Sequence, residues 1–123
     1  MNPAEARRRE ALLRDAGAGV AQERAALTER LAEMAEDRTR LVEASQNSNA
    51  DDEHDPEGQT IAYERSQLAA LTEAVSSHLA ELDGAADRLA EGTYGDCEVC
   101  GEPIPVERLL VRPAARTCVT HAT

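Results

Sequence analysis

Three cysteines and one histidine near the carboxyl end of the sequence have the spacing of a metal site. Two residues separate Cys97 from Cys100, and two separate Cys118 from His121. A two-residue gap bends the backbone so that both side chains converge on one ion, and two such pairs complete a tetrahedron around Zn²⁺. Four protein ligands leave no open position for water. The spacing therefore predicts one structural zinc ion and no catalytic one.

Spacing alone leaves two other interpretations of these residues open. In the first, the cysteines and the histidine bind no metal. In the second, three thiolates bind zinc and water takes the place of His121. The segment is too small to fold by burial of apolar surface, so metal binding would supply its folding energy.

A second group of side chains that could bind a cation is acidic and lies in the stretch "DDEHDPEG". Exposure to water and salt would screen the repulsion among these carboxylates. Hard cations such as Mg²⁺ favour carboxylate oxygens, so the cluster suits an electropositive or metal-bearing cavity. The alternative is a solvated acidic turn that keeps the protein soluble. The acids concerned are Asp51, Asp52, Glu53, Asp55 and Glu57.

Two heptad patterns predict the helices that position these groups. A strict seven-residue repeat keeps one narrow apolar stripe facing a partner helix. Apolar residues at three- or four-residue offsets widen both stripes. The first stripe consists of Leu13, Val20, Leu27, Leu31, Met34 and Leu41, and the second of Ile61, Leu68, Leu71, Val75, Leu79, Leu82, Ala86 and Leu89.

The polar segment between the stripes contains Pro56 and Gly58, which can stop a helix, so we expect an antiparallel pair. The predicted fold is mainly α: a long antiparallel helical hairpin, or coiled coil, on a small zinc-finger globular base. Gly17 and Gly19 weaken the first helix, although one uninterrupted helix over 4–46 is an equal alternative. The predicted domains are an N-terminal helical segment near the base (1–19), the hairpin (20–91, with its acidic tip at 46–59) and the zinc finger (92–123).

Composition excludes several classes of protein. The 123 residues carry a formal net charge of −11, and Phe and Trp are absent. That charge argues against binding DNA through its phosphates. No stretch has the length of a membrane helix and the first residues are unlike a signal peptide, so we expect a cytoplasmic protein with reduced thiols. A paired nucleophile and base, a phosphate loop and an open metal position are all missing, so an enzyme is not expected.

The stretch "GTYGDCEVCGEPIPVERLLVRPAARTC", at 92–118, resembles the DksA/TraR family of bacterial RNA-polymerase regulators. Together with the helical hairpin and the acidic turn, the resemblance covers about residues 20–121. It implies a coiled coil that projects from a zinc-containing base, enters the secondary channel of RNA polymerase and brings its tip close to the catalytic Mg²⁺. RNA polymerase is then the partner of a monomeric protein. Some members act with the alarmone ppGpp, so a shared ppGpp site is a further expectation.

The sequence departs from the family pattern at two positions. The fourth metal ligand is usually cysteine, and here it is His121. The family's best-studied tip pattern is Asp-x-x-Asp-x-Ala, which Asp52 and Asp55 match, whereas Glu57 stands at the alanine position.

Other interpretations come from different classes of protein. The chain could be a zinc-capped coiled-coil adaptor, or a transcript-cleavage factor like the Gre proteins, although those lack this zinc signature. Arg65, just beyond the tip, is a further candidate contact to the polymerase. Arg7, Arg8 and Arg9 form a basic cluster whose default interpretation is a solvated helix face.

Overall fold

Two long helices make up most of the molecule. The computed structural model describes residues 1–47 and 56–122, and in this part of the chain α1 spans Pro3–Asn47 and α2 spans Pro56–Glu91. A short helix, α3, spans Val106–Val111, and one 3-10 turn spans Val119–His121. Neither long helix, as far as it is described, is apolar enough over a sufficient length to cross a bilayer.

The chain divides into two compact units. We call Met1–Ala25 with Leu79–Thr123 the finger unit, and Ala26–His78 the helix-pair unit. Each contains a part of α1 and a part of α2. The predicted segments 1–19, 20–91 and 92–123 divide the chain at other positions.

A capping box starts α1. The Asn2 side chain accepts a hydrogen bond from the Glu5 backbone N–H at 2.8 Å, and the Glu5 carboxylate accepts one from the Asn2 N–H at 3.2 Å. Pro3 occupies the first helical position, where its missing N–H costs nothing. These residues satisfy donors that a helix start would otherwise leave without a partner.

The two glycines near the start of α1 do not interrupt it, so the structure contains the uninterrupted helix of the two alternatives. A Cβ at Gly17 would lie 3.1 Å from Leu89 Cδ2, whereas nothing lies within 4 Å of a Cβ at Gly19. Gly17 therefore allows α2 to approach α1 closely, and this contact explains a residue that helix propensity alone disfavours.

The heptad stripes form the helix contact of the finger unit. Val20 and Leu82 are fully buried, and Leu13 and Leu89 are partly buried. The Arg24 guanidinium donates to the Asp83 carboxylate at 2.8 Å. Gly17 lies against Leu89 while Arg24 pairs with Asp83, so α1 and α2 run antiparallel here, as predicted.

Two small residues extend the contact in the finger unit beyond the predicted stripes. Ala16 and Ala85 are 5% and 0% exposed, whereas Ala86, which was predicted to widen the second stripe, is only partly buried. An alanine beside the close approach at Gly17 is buried because the backbones are near each other, and a pattern of large apolar residues does not detect it.

In the helix-pair unit, fewer of the described apolar side chains between the helices are buried. Met34 is buried, and its neighbours in the stripes are partly buried. Leu71 is 50% exposed, so the prediction that it widens the stripe was wrong. A seam between only two helices covers one narrow face of each, and a residue just beside that face stays in water. The partly buried members are Leu27, Leu31, Leu41, Ile61, Leu68 and Val75.

The second helix begins earlier than the sequence suggested. Pro56 is its first residue and Gly58 lies inside its first turn, so neither stops a helix. A proline at the first helical position has a suitable φ and needs no hydrogen-bond partner for its nitrogen. Thr60 adds a side-chain hydrogen bond to the Pro56 carbonyl at 2.9 Å. The predicted tip, 46–59, thus contains the end of α1 and the first turn of α2.

The two glycines of α1 give a matched test of this packing. We expect Gly19→Ala to raise the free energy of unfolding by about 0.5–1 kcal/mol, because alanine favours the helix and has open space around it. Gly17→Ala should gain less or lose stability, because its new methyl group must displace Leu89. Urea denaturation followed by circular dichroism measures both, and an equal gain at the two positions would contradict the close approach.

Candidate metal centre

The finger starts where α2 ends. Gly92 has a φ of +81°, and the backbone N–H groups of Thr93 and Tyr94 both donate to the Arg88 carbonyl, at 2.9 and 3.2 Å. A residue of left-handed backbone after the last helical turn is the usual end of a helix, and glycine adopts it without strain. The prediction that Gly92 ends this helix is confirmed.

A short antiparallel ribbon carries the first pair of cysteines. The Ile104 N–H donates to the Gly95 carbonyl at 2.7 Å, and the Cys97 N–H donates to the Glu102 carbonyl at 2.9 Å. Between these bonds, Asp96 and Pro103 form an isolated bridge. The ribbon brackets the turn from Cys97 to Cys100 and fixes its two ends.

A hydrogen bond from the Gly101 N–H to the Cys97 carbonyl, at 2.9 Å, closes the first turn. Gly101 has a φ of +74°, which a side chain would disfavour. In the second turn, the His121 N–H donates to the Cys118 carbonyl at 3.1 Å. Each two-residue gap therefore folds back on itself, as the spacing required.

The four candidate ligand atoms converge. The three Sγ atoms and one imidazole nitrogen of Cys97, Cys100, Cys118 and His121 all lie within 4.8 Å of one another. Cys100 Sγ is 3.9 Å from Cys118 Sγ, and His121 Nδ1 is 3.8 Å from Cys97 Sγ and 3.1 Å from Cys118 Sγ.

The separation of the Cys100 and Cys118 sulfurs fits zinc. Two sulfurs that each lie about 2.3 Å from a tetrahedral ion are about 3.8 Å apart, close to the observed separation of Cys100 and Cys118. All three cysteines are free thiols. A sulfur-rich donor set with one imidazole is also the chemistry that zinc prefers over hard cations. The cluster is therefore compatible with one structural zinc ion.

Local electrostatics favour thiolate at two of the three cysteines. Burial opposes ionisation of Cys97, but hydrogen bonds from backbone groups of Cys100, Cys118 and Val99 outweigh it and lower the Cys97 pKa to about 6. The hydrogen bond with His121 lowers the pKa of Cys118, and the same bond raises the pKa of His121. Thiolate is the form that binds a metal, so these contacts prepare two ligands.

Cys100 behaves differently. A hydrogen bond with the Glu102 backbone favours its thiolate, but burial and the two neighbouring thiols outweigh that bond and raise the Cys100 pKa. Three sulfurs at this separation cannot all hold a negative charge without a compensating cation. A divalent ion at the centre of the cluster would supply that compensation.

The Tyr94 side chain joins two segments of the finger. The Tyr94 ring is buried, and its hydroxyl donates to the Pro113 carbonyl at 2.7 Å. Burial raises the Tyr94 pKa, while the nearby Arg88 cation acts in the opposite direction. Ile104 and Leu109, which are both fully buried, complete the small apolar interior of the finger.

Three arginines bind backbone carbonyls of the finger. Arg9 of α1 donates to Ile104 and Gly95, at 2.9 and 3.1 Å. Arg108 of α3 donates to Thr117 at 2.9 Å, and Arg88 of α2 donates to Ala114 at 3.3 Å. The sequence did not identify these roles, and Arg9 in particular is not part of a solvated face.

The acidic cluster is only partly within the described part of the chain. Asp51, Asp52, Glu53 and Asp55 lie outside the described residues. Glu57 is exposed in the first turn of α2, where a negative charge complements the helix dipole. Arg65 is exposed in the helix-pair unit and lines an open groove of about 600 Å³ together with Arg38 and Thr72.

Comparisons with known proteins agree with this geometry. Residues 92–120 match the family described as "Prokaryotic dksA/traR C4-type zinc finger". An uncharacterized protein of Aquifex aeolicus is 36% identical over 101 residues, which cover 82% of this chain and 67% of that protein. General stress protein 16O of Bacillus subtilis is 33% identical over 87 residues, or 71% of this chain and 53% of that protein.

A solved structure is similar over most of the chain. The transcription factor DksA2 from Pseudomonas aeruginosa superposes with a TM-score of 0.74 and 27% sequence identity, covering 90% of this chain and 80% of that one. The similarity therefore extends well beyond the zinc-finger residues and includes the long helices.

The buried hydroxyl of Tyr94 gives a test of the finger's packing. We expect Tyr94→Phe to lower the free energy of unfolding by about 1–2 kcal/mol, because the Pro113 carbonyl loses its donor inside the protein. Thermal unfolding measures the loss. Tyr63→Phe is the matched control, because Tyr63 is 66% exposed and should tolerate the change. Equal effects of the two substitutions would contradict a role for the Tyr94 hydrogen bond.

Proposed function

Because the chain belongs to the DksA/TraR family of zinc-finger proteins, we propose that it is a transcription factor that binds RNA polymerase. The observation that carries this proposal is the similarity to DksA2 over 90% of the chain, which includes both long helices and the zinc finger. The protein is then a regulator that acts by binding, and no chemical step is assigned to it.

The proposed way of binding uses the hairpin as a probe. An antiparallel helix pair is narrow enough to enter a channel that a globular surface could not. We propose that it enters the secondary channel of RNA polymerase as a monomer, in the cytoplasm. The formal net charge of −11 supports binding to a protein over coating of DNA.

The acidic tip is proposed to act near the catalytic Mg²⁺ of the polymerase. Asp51, Asp52, Glu53, Asp55 and Glu57 supply carboxylate oxygens, the ligands that this ion prefers. Arg65 is exposed and lies eight residues after Glu57, so it is a further proposed contact to the polymerase. A ppGpp site shared with the polymerase stays a prediction.

In the finger, we propose that Cys97, Cys100, Cys118 and His121 together bind one structural zinc ion. The convergence of their ligand atoms supports this set. When bound, the ion supplies folding energy to a segment with little apolar interior. His121 is the residue proposed to replace the fourth cysteine of a C4-type finger.

The role of His121 can be tested by metal affinity. We expect His121→Ala to weaken zinc binding at least about tenfold, because one of four ligands is lost. His121→Cys, the matched variant that restores a C4 site, should bind zinc as tightly as the unaltered chain. Competition with a chromophoric chelator measures both. An unchanged affinity of His121→Ala would remove this residue from the ligand set.

The role of the tip can be separated from binding. We expect Asp52→Ala with Asp55→Ala to retain binding to core RNA polymerase within about threefold and to abolish any effect on transcription in vitro, because the two carboxylates act at the active centre and contribute little to affinity. The control is Glu33→Ala with Glu36→Ala, which removes the same charge from exposed positions of α1.

Two different outcomes would contradict two different parts of the proposal. Absence of binding by the unaltered chain to core RNA polymerase, in a pull-down with purified proteins, would refute the partner. Unaltered transcriptional regulation by the tip variant would refute the tip's role while leaving the partner intact. Cross-linking from position 52 identifies the polymerase residues that it approaches.

A further inference from the structure

We propose that Arg9 and Arg108 are positioning residues of the metal centre, one for each pair of ligands. Arg9 lies in α1, far from the zinc finger in sequence, and Arg108 lies in α3 between the two pairs. Both donate to backbone carbonyls within four residues of a candidate ligand. The inference depends on metal binding and not on binding to RNA polymerase.

Arg9 holds the ribbon that carries the first pair. Its two terminal nitrogens donate to the carbonyls of Ile104, at 2.9 Å, and Gly95, at 3.1 Å. These two residues form the open end of the ribbon, where the Ile104 N–H also donates to the Gly95 carbonyl at 2.7 Å. A fork of two donors that reaches both arms of the ribbon fixes the separation of the arms, and Cys97 follows Gly95 by only two residues.

Gly95 makes room for this guanidinium. Its φ is +94°, and a Cβ there would lie 3.3 Å from Arg9 Nη2 and 3.2 Å from Leu13 Cδ2. The backbone conformation and the close approach both favour glycine. The local sequence of the finger is thus built to receive a side chain from α1.

Arg108 holds the second pair in the same manner. Its Nε donates to the Thr117 carbonyl at 2.9 Å, and Cys118 is the next residue. The Glu98 N–H donates to the Arg116 carbonyl at 2.9 Å, which joins the first turn to the segment before the second. This hydrogen bond connects the contacts of Arg9 and the ribbon with the contact of Arg108. Together they form one connected set of contacts around the cluster.

The chemistry of the centre suits arginine at both positions. With zinc bound, three thiolates and a neutral imidazole would leave the centre with a net charge of −1. Arginine stays protonated at all relevant pH values and offers several donors in a rigid plane. Lysine would retain the charge and lose the fork.

Positioning has a thermodynamic consequence that plain stabilisation lacks. If Arg9 sets the ribbon in the geometry that metal binding requires, then zinc and the contact of α1 with the ribbon stabilise each other by the same factor. A residue that only stabilised the fold would stabilise the metal-free and zinc-loaded chains equally, and the gain in stability on adding zinc would not change when that residue was replaced.

The experiment measures zinc affinity of the full chain by chelator competition. We expect Arg9→Met and Arg108→Met each to weaken zinc binding about 10–100-fold, the range found when groups that orient metal ligands are removed. The zinc affinity of Arg9→Lys should lie between the affinities of Arg9→Met and of the unaltered chain. The matched controls are Arg8→Met for Arg9 and Arg112→Met for Arg108, since both control residues are exposed.

Two further measurements separate positioning from ligand loss and from plain stabilisation. The Co²⁺ absorption bands should keep the same energies in Arg9→Met as in the unaltered chain, because no ligand is removed. The rise in Tm on adding zinc should be smaller in Arg9→Met than in Arg8→Met. An affinity of Arg9→Met within twofold of its control, or an equal rise in Tm, would overturn the proposal.

Arg9→Lys covers the case in which Arg9→Met does not fold, which far-UV circular dichroism would show. Lysine keeps the charge and the apolar stem, so the helix and its packing should survive. A zinc affinity of Arg9→Lys equal to that of the unaltered chain would then overturn the proposal, and a loss of about tenfold would support it.

Discussion

Convergence of four metal-ligand atoms within 4.8 Å of one another is the constraint on which the finger depends. Three thiolates at this separation repel one another without a cation, because like charges lie only a few ångströms apart. The surrounding backbone is organised to bring them together nonetheless. The ribbon, the turn at Gly101 and the 3-10 turn all serve the positions of these four atoms.

In the finger, arginine side chains hold segments of backbone together, a role that aromatic side chains have in other small domains. The chain contains no Phe or Trp, and the apolar interior of the finger is limited to a few residues such as Tyr94, Ile104 and Leu109. Arg9, Arg88 and Arg108 instead bind carbonyl groups of the irregular backbone. Each guanidinium satisfies carbonyl acceptors that a helix or sheet would satisfy internally.

Local patterns in the sequence predicted the fold where the causes are local. Heptads gave two antiparallel helices, and the two-residue gaps gave the metal cluster, because each pattern reflects contacts between residues near in sequence or in repeated register. Context decides at two other positions. Pro56, which was expected to stop a helix, is the first residue of α2. The sequence left open whether the helix breaks at Gly17, which lies inside α1 against Leu89.

Contacts across long sequence separations were not predictable from one sequence. Arg9 and Gly95 are 86 residues apart, and nothing in the spacing of the basic cluster at 7–9 distinguishes Arg9 from its exposed neighbours. Burial along the helices was also only partly predictable: Leu71 was expected in the stripe and is exposed, whereas Ala85 was not expected there and is buried. The sequence pattern selects residues by type, but burial depends on how closely the two backbones approach.

The finger unit combines the first 25 residues of the chain with the segment that starts at Leu79. The amino-terminal part of α1 is synthesised long before Cys118 and His121. The first residues of α1 therefore lack their contacts within the finger unit until the segment that starts at Leu79 has been made. Metal capture, which needs both pairs of ligands, can be completed only after Cys118 and His121 have been made, so zinc is captured after both long helices have been synthesised.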